Sequence, residues 1–224
     1  MLDKIRIAID GPGGAGKSTL AQLVAGRLQI EYIDTGAMYR AIALKALRAG
    51  VSEDDTDALD EMLAGTTVDF DSGRILLDGE DVSEDIRTQE VSMAASDYSK
   101  LAAVRSKLVA LQREIAAGKS VVMDGRDIGS NVLPDAELKI YLTADPMVRA
   151  KRRYDEMIEN GKEADLDQIY REMVERDYQD MHRELNPLTQ AEDAVLLDTS
   201  PLNIEQVVAA VIDEVVRTGY PVEA

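Results

Sequence analysis

Short apolar runs and longer segments with helical spacing alternate along most of this sequence. The run IRIAI at residues 5–9 is rich in β-branched residues and ends at Asp10 and Gly11, which is typical of a buried strand. After it, apolar residues recur at helical intervals over residues 17–30 and predict a helix. Further strands are predicted at residues 31–34, 120–124, 137–144 and 194–200. Five such strands alternating with helices predict an α/β fold with a doubly wound parallel sheet.

The alternation is interrupted in the middle of the chain. A helix is expected at residues 52–65 with Ser52 as its cap, because the acidic residues that follow favour the positive end of the helix dipole. Residues 66–81 have the pattern of a small antiparallel meander with tight turns, which we interpret as an insertion. Later helices are predicted at residues 87–99, 101–118, 146–184 with a break near residues 160–161, and 202–219.

Charge limits the possible partners. The chain of 224 residues has 43 acidic against 25 basic residues, for a net charge of -18. Residues 52–86 carry -12 of this charge and residues 190–224 carry -6, so the rest of the chain is neutral. Because a negative field repels polyanions, we expect neither nucleic acid nor a membrane surface as partner. A small anion held by local arginines remains compatible with this charge.

The residue inventory excludes several kinds of chemistry. The chain has no cysteine and one histidine, His182, so it has no thiolate nucleophile, disulfide or multi-histidine metal site. It also lacks a long apolar run, which argues against a signal peptide or a membrane-spanning helix. We therefore expect a cytoplasmic protein.

The segment GPGGAGKS at residues 11–18 matches the phosphate-loop pattern G-x-x-x-x-G-K-[ST], between a predicted strand and a predicted helix. Glycines let backbone N–H groups face a phosphate, and the helix adds its positive end. Lys17 is expected to reach the β- and γ-phosphates of ATP, and Ser18 to ligate Mg²⁺. The residues assigned to ATP are Gly11, Pro12, Gly13, Gly14, Ala15, Gly16, Lys17, Ser18 and Thr19.

Two other segments follow predicted strands. In DTGAMYR at residues 34–40, Thr35 and Arg40 lie near a helix start, which suits an anionic group. In DGRDIG at residues 124–129, Asp124 is placed to hold Mg²⁺ or its waters opposite the phosphate loop. Arg126 lies at the carboxyl ends of the strands, where ligands bind in such sheets.

Together with ERDYQDMHRELNPL at residues 175–188 and GEDVS with IRTQEV at 79–91, these motifs resemble the bacterial cytidylate kinase family over nearly the whole chain. The resemblance implies an enzyme that phosphorylates CMP and dCMP with ATP and Mg²⁺. It also implies a single P-loop kinase domain with a mobile lid, which we expect to be a monomer. Its parts would be a core at residues 1–34, 101–146 and 184–224, a nucleotide-binding region near 35–100 and a lid near 147–183.

The resemblance further implies roles for individual residues. Thr35 would contact the acceptor nucleotide, and Arg40 and Arg126 would hold its phosphate. The residues implied for the ribose are Asp127, Arg176 and Asp180, those for the cytosine ring are Ser96, Arg105 and Arg183, and the lid arginines are Arg149, Arg152 and Arg153. The expected catalytic set is Lys17, Asp124, Arg126, Arg152, Arg153 and Arg176, with Ser18 and Asp124 as metal ligands.

Two other functions stay open at this point. One is a P-loop kinase that prefers UMP or AMP, which Ser96, Arg105 and Arg183 argue against because arginine and hydroxyl groups can pair with the acceptor atoms of cytosine. The other is a non-catalytic ATP-binding switch, which leaves the second set of arginines without a phosphate to bind. Arg152 and Arg153 are equally well explained as surface ion pairs on a charged helix.

Overall fold

The computed structural model describes residues 3–71 and 73–222 of the chain. The strands are β1 (Arg6–Asp10), β2 (Glu31–Asp34), β3 (Val68–Asp71), β4 (Arg74–Leu77), β5 (Glu80–Asp81), β6 (Val121–Gly125), β7 (Leu138–Thr143) and β8 (Val195–Asp198). The helices are α1 (Lys17–Leu28), α2 (Thr35–Ala49), α3 (Thr56–Ala64), α4 (Gln89–Tyr98), α5 (Ala102–Ala116), α6 (Pro146–Glu159), α7 (Leu166–His182) and α8 (Ile204–Arg217). The chain divides into two compact units, one running up to Tyr32 and resuming at Gly118, the other spanning Ile33–Ala117.

The predicted five-stranded sheet is confirmed, with the strand order β2-β6-β1-β7-β8. Strand β1 pairs in parallel with both β6 and β7. Its register with β6 places Ile9 beside Asp124 and Asp10 beside Gly125. Because β1 and β6 end level with each other, the phosphate loop and the DGRDIG segment begin side by side at one end of the sheet.

The core of the first unit lies between this sheet and two helices. Ile7 and Ile9 of β1 are fully buried in one cluster with Leu20 of α1 and Val211 of α8. Since alternate residues of a strand point to the same face, α1 and α8 cover one face of the sheet. This packing fixes the start of α1, and with it the phosphate loop, relative to the strand ends.

The second unit contains α2 to α5 and a three-stranded antiparallel sheet of order β3-β4-β5, and this sheet is the meander that the sequence predicted. One predicted helix boundary was wrong. Helix α3 starts at Thr56 instead of near Ser52, and the Asp55 side chain caps it by accepting from the Ala58 amide at 3.1 Å. Its buried residues are Leu59 and Leu63, so an earlier start would add no apolar contact.

Two short helical turns were not predicted: a 3₁₀ turn at Asp85–Arg87 and a single π-helical turn at Ile128–Val132. The second directly follows Asp127 and shapes the segment after β6. Across residues 3–71 and 73–222, no helix combines the length and the apolar character needed to cross a membrane.

Candidate functional site

The phosphate loop connects β1 to α1, and its glycines adopt conformations that other residues avoid. Gly14 and Gly16 have φ angles of 72° and 91°, in the left-handed region that favours glycine. A Cβ atom on Gly11 would lie 2.0 Å from the carbonyl oxygen of Leu142 in β7. Gly16 is the N-cap of α1 and provides no side chain to bond the first amides. These amides are therefore suited to an anion.

Lys17 lies in the first turn of α1 and is only 6% exposed. Its Nζ atom donates a hydrogen bond to the carbonyl oxygen of Pro12 at 2.9 Å. Burial, together with the positive charge of Arg126, lowers the pKa of Lys17 to about 7. A bound polyphosphate would favour the charged ammonium, because it adds negative charge beside this buried amine.

Asp124, at the end of β6, joins two distant parts of the sequence. Its Oδ2 atom accepts from the Ser18 hydroxyl at 2.9 Å, and its Oδ1 atom accepts from the Tyr32 hydroxyl at 2.8 Å. A hydroxyl and a carboxylate are oxygen ligands of the kind that Mg²⁺ takes beside phosphate and water. No cluster of three or more acidic, histidine or cysteine side chains fit for a metal occurs in the described parts of the chain. Ser18 and Asp124 thus fit an ion that phosphate oxygens and water also coordinate.

Two ion pairs connect the DGRDIG segment to α7 and to the residue after it. Arg126 Nε donates to Asp180 Oδ2 at 2.6 Å, and Arg183 Nη2 donates to Asp127 Oδ1 at 2.9 Å. Arg126 Nη2 lies 3.6 Å from the point that a Cβ on Gly13 would occupy, and so beside the phosphate loop. The structure therefore brings Arg126, Asp127, Asp180 and Arg183 together in the first unit. Arg176 is exposed, one turn before Asp180 on α7.

Asp10 is a residue of this site whose role the sequence analysis missed. Its carboxylate is 4% exposed and accepts from the amides of Ile128 and Gly129, both at 2.7 Å. These bonds hold the backbone directly after Asp127. Burial still outweighs them and raises the pKa of Asp10 to about 6. The sequence signal for this role was an acidic residue at the end of an apolar strand. A carboxylate buried there requires hydrogen-bond donors, which a neighbouring loop must supply.

The three arginines expected in the lid have different environments. Arg152 donates to the carbonyl oxygen of Thr199 at 2.7 Å, and Arg153 forms an exposed pair with Glu156 at 2.8 Å on the same helix. Arg149 differs from the expectation, because it is only 2% exposed and its guanidinium is bound by protein acceptors.

In the second unit, the residues implied for the acceptor lie on α2, α4 and α5. Thr35 is a buried first residue of α2, and Arg40 Nη2 bonds Asp34 Oδ2 at 3.1 Å. Arg105 is 3% exposed, with its guanidinium carbon 5.8 Å from the centre of the Tyr39 ring. Within this unit, Arg105 and Tyr39 are close enough for a cation–π contact. Ser96 is half-buried on α4.

The fold of this chain is similar to that of a solved structure. An uncharacterized protein from Eubacterium ventriosum, known from its crystal structure, aligns with a TM-score of 0.54 over 94% of this chain and 98% of its own, at 14% identity. At that identity the likeness concerns the fold alone.

Curated relatives are much more similar in sequence. The cytidylate kinase of Caldicellulosiruptor saccharolyticus is 51% identical over 95% of this chain and 96% of its own. That of Clostridium acetobutylicum is 47% identical over 93% and 96%, and that of Pelotomaculum thermopropionicum is 50% identical over 93% and 95%. The sequence model of the family described as cytidylate kinase matches residues 7–217. This chain belongs to the cytidylate kinase family.

Proposed function

We propose that this protein transfers the γ-phosphoryl group of ATP to CMP or dCMP, giving ADP and CDP or dCDP. The observation that carries the proposal is the Ser18–Asp124 contact at 2.9 Å, beside a phosphate loop in a chain of this family. The phosphate loop supplies the backbone N–H groups for a phosphate, and Ser18 and Asp124 supply two oxygen ligands at the same end of the sheet. Family membership supports the choice of acceptor.

The ATP site is proposed to be the phosphate loop, Gly11 to Thr19. Backbone N–H groups of the loop and of the first turn of α1 would bind the phosphates. The Lys17 ammonium would turn from the Pro12 carbonyl to the β- and γ-phosphate oxygens. Ser18 and Asp124 would hold Mg²⁺, which when bound neutralises charge on the phosphates. The loop and Lys17 would meanwhile fix the donor for an in-line transfer.

The acceptor residues are proposed for each unit separately. In the second unit, Thr35 and Arg40 would contact the nucleotide and its phosphate, and Ser96 and Arg105 the cytosine ring. In the first unit, Arg126 would bind the phosphate and Arg183 the ring, and the ribose contacts would be Asp127, Arg176 and Asp180.

No strong base is required, because the phosphate of CMP is already ionised at neutral pH and phosphoryl transfer depends on positioning and charge neutralisation. Lys17, Arg126 and Arg176 would stabilise the negative charge of the transition state. Arg152 and Arg153 are proposed as lid arginines, and each must leave its present partner, Thr199 or Glu156, to reach a phosphate. The division into core, nucleotide-binding region and lid, the monomeric state and the cytoplasmic location are also proposals.

A coupled assay of ADP release tests the proposal directly. The purified protein is given ATP and Mg²⁺ with CMP, dCMP, UMP, AMP or GMP in turn, and with no acceptor. We expect rapid turnover with CMP and dCMP and little in the other reactions. Faster turnover with UMP or AMP would make that nucleotide the acceptor in place of CMP. A protein that binds ATP but whose ADP release is not increased by any acceptor would be a switch instead.

A further inference from the structure

Helices α6 and α7 bury an ion pair where packed helices usually bury apolar side chains. Within the described chain, the buried residues of α6 are Arg149 and Ala150, and that of α7 is Asp177. Arg149 Nη1 donates to Asp177 Oδ1 at 3.2 Å, and its Nη2 donates to Oδ2. A buried ion pair adds little net stability, because desolvation offsets the attraction between the charges. Stability alone therefore does not explain this pair.

The same guanidinium reaches the phosphate loop. Arg149 Nη1 also donates to the carbonyl oxygen of Gly13 at 2.8 Å, and its Nε donates to the carbonyl oxygen of Ala144 at 3.0 Å. A loop that directs its N–H groups toward a phosphate turns carbonyl groups the other way, and a partly buried carbonyl such as that of Gly13 is stabilised by a donor. Arg149 supplies that donor for Gly13.

Both helices also pack against the next residue of the loop. A Cβ atom on Gly14 would lie 3.0 Å from Met173 Cε on α7 and 3.4 Å from Arg149 Cβ on α6. The ion pair and Met173 therefore hold the outer side of the phosphate loop at two consecutive residues, Gly13 and Gly14.

We propose that Arg149, held in place by Asp177, is a positioning residue for the phosphate loop. It fixes the Gly13 carbonyl and thereby the direction of the loop amides that bind phosphate. All four of its hydrogen bonds go to protein acceptors, and the one to the Gly13 carbonyl links it to the loop. This inference rests on the proposed use of ATP, but it is tested by nucleotide binding without any acceptor.

The principal test separates stability from nucleotide affinity. The double variant Arg149→Met with Asp177→Leu removes both charges, so no buried charge is left unpaired, and the protein should fold. Its melting temperature should fall only modestly, because the carbonyls of Gly13 and Ala144 lose the donor that Arg149 supplies. The Gly13 carbonyl has no donor in this variant. We expect the Kd for Mg·ADP, measured by calorimetry, to rise about tenfold, which is the effect of losing one well-formed hydrogen bond.

Arg149→Lys is the milder second variant. Its ammonium retains the charge beside Asp177 but cannot reproduce the bidentate pair and also reach the Gly13 and Ala144 carbonyls. We expect it to fold and to show a raised Kd for Mg·ADP. The matched control is Arg6→Met, which removes an arginine bound to Asp135 and Glu137 at the opposite end of β1.

The control should lower the melting temperature and leave the Kd at the wild-type value. A folded Arg149 variant with wild-type affinity for Mg·ADP overturns the inference. An equal loss of affinity in Arg6→Met also overturns it, because the effect would then be one of general stability. Wild-type turnover with CMP is measured separately, so a failure of the proposed function is distinguishable from a failure of this inference.

Discussion

Ser18 and Asp124 are 106 positions apart in the sequence, yet the hydroxyl of one donates to the carboxylate of the other at 2.9 Å. The parallel pairing of β1 with β6 produces this contact, because the two strands end level with each other. It joins the first turn of α1 to the end of a neighbouring strand, the two places from which we propose that Mg²⁺ is held.

Asp124→Asn should lower kcat about 10³-fold, since a neutral amide is a weak ligand and the charge stabilisation of a bound ion is worth several kcal/mol. Tyr32→Phe is the matched control, because it removes the 2.8 Å bond to the other Asp124 oxygen and leaves the charge. We expect it to raise the Mg²⁺ concentration for half-maximal activity about tenfold. Steady-state rates over a Mg²⁺ series give both values, and unchanged rates for Asp124→Asn would contradict the site.

Lys17→Met should reduce turnover about 10³-fold while the protein becomes no less stable. Charging the buried Lys17 amine is unfavourable in the folded state, as its lowered pKa shows. Methionine removes that cost and keeps most of the side-chain volume. Melting temperature and kcat are measured on the same preparation. A variant that loses activity because it unfolds would contradict the assignment.

Nucleotide affinity should fall as the pH rises above about 7, the value to which the pKa of Lys17 is lowered. Bound phosphates favour the charged amine and raise its pKa, so binding takes up a proton at any pH between the free and bound values. The Kd for ADP should therefore rise by up to about tenfold per pH unit in that range.

Calorimetry at pH 8 in two buffers of different ionisation enthalpy measures this proton uptake. Lys17→Met is the control and should take up fewer protons. Equal uptake by the two proteins would show that Lys17 is not the group that titrates.

Ser96→Ala should raise the KM for CMP more than that for ATP and leave the melting temperature unchanged, because Ser96 is only half-buried. Arg183→Ala should raise the KM for CMP and also destabilise the protein by about 1.5–3 kcal/mol, because the buried Asp127 carboxylate loses its charged hydrogen bond from Arg183 and keeps that from Asn131. Adding Asp127→Asn should restore stability without restoring the KM. Equal changes in both KM values would reject the proposed roles in base recognition.

Much of the fold was predictable because its signals are local. The apolar runs predicted all five strands of the main sheet, and turn residues predicted the small antiparallel sheet. The start of α3 was not predictable from the acidic run alone, since both Ser52 and Asp55 are acceptable caps. In the structure Asp55 is the cap, and the helix that follows it buries Leu59 and Leu63.

The sequence by itself determined the α/β class, the position of the phosphate loop and the family, because periodicity and motif spacing are properties of neighbouring residues. Only the tertiary structure decided which partners the charged side chains have. It paired Asp10 with amides 118 and 119 positions away, and Arg126 with Asp180, 54 positions away. It also placed Arg149 beneath the phosphate loop. An arginine on a charged helix has the same local pattern whether it faces solvent or a buried carbonyl, and only packing distinguishes the two.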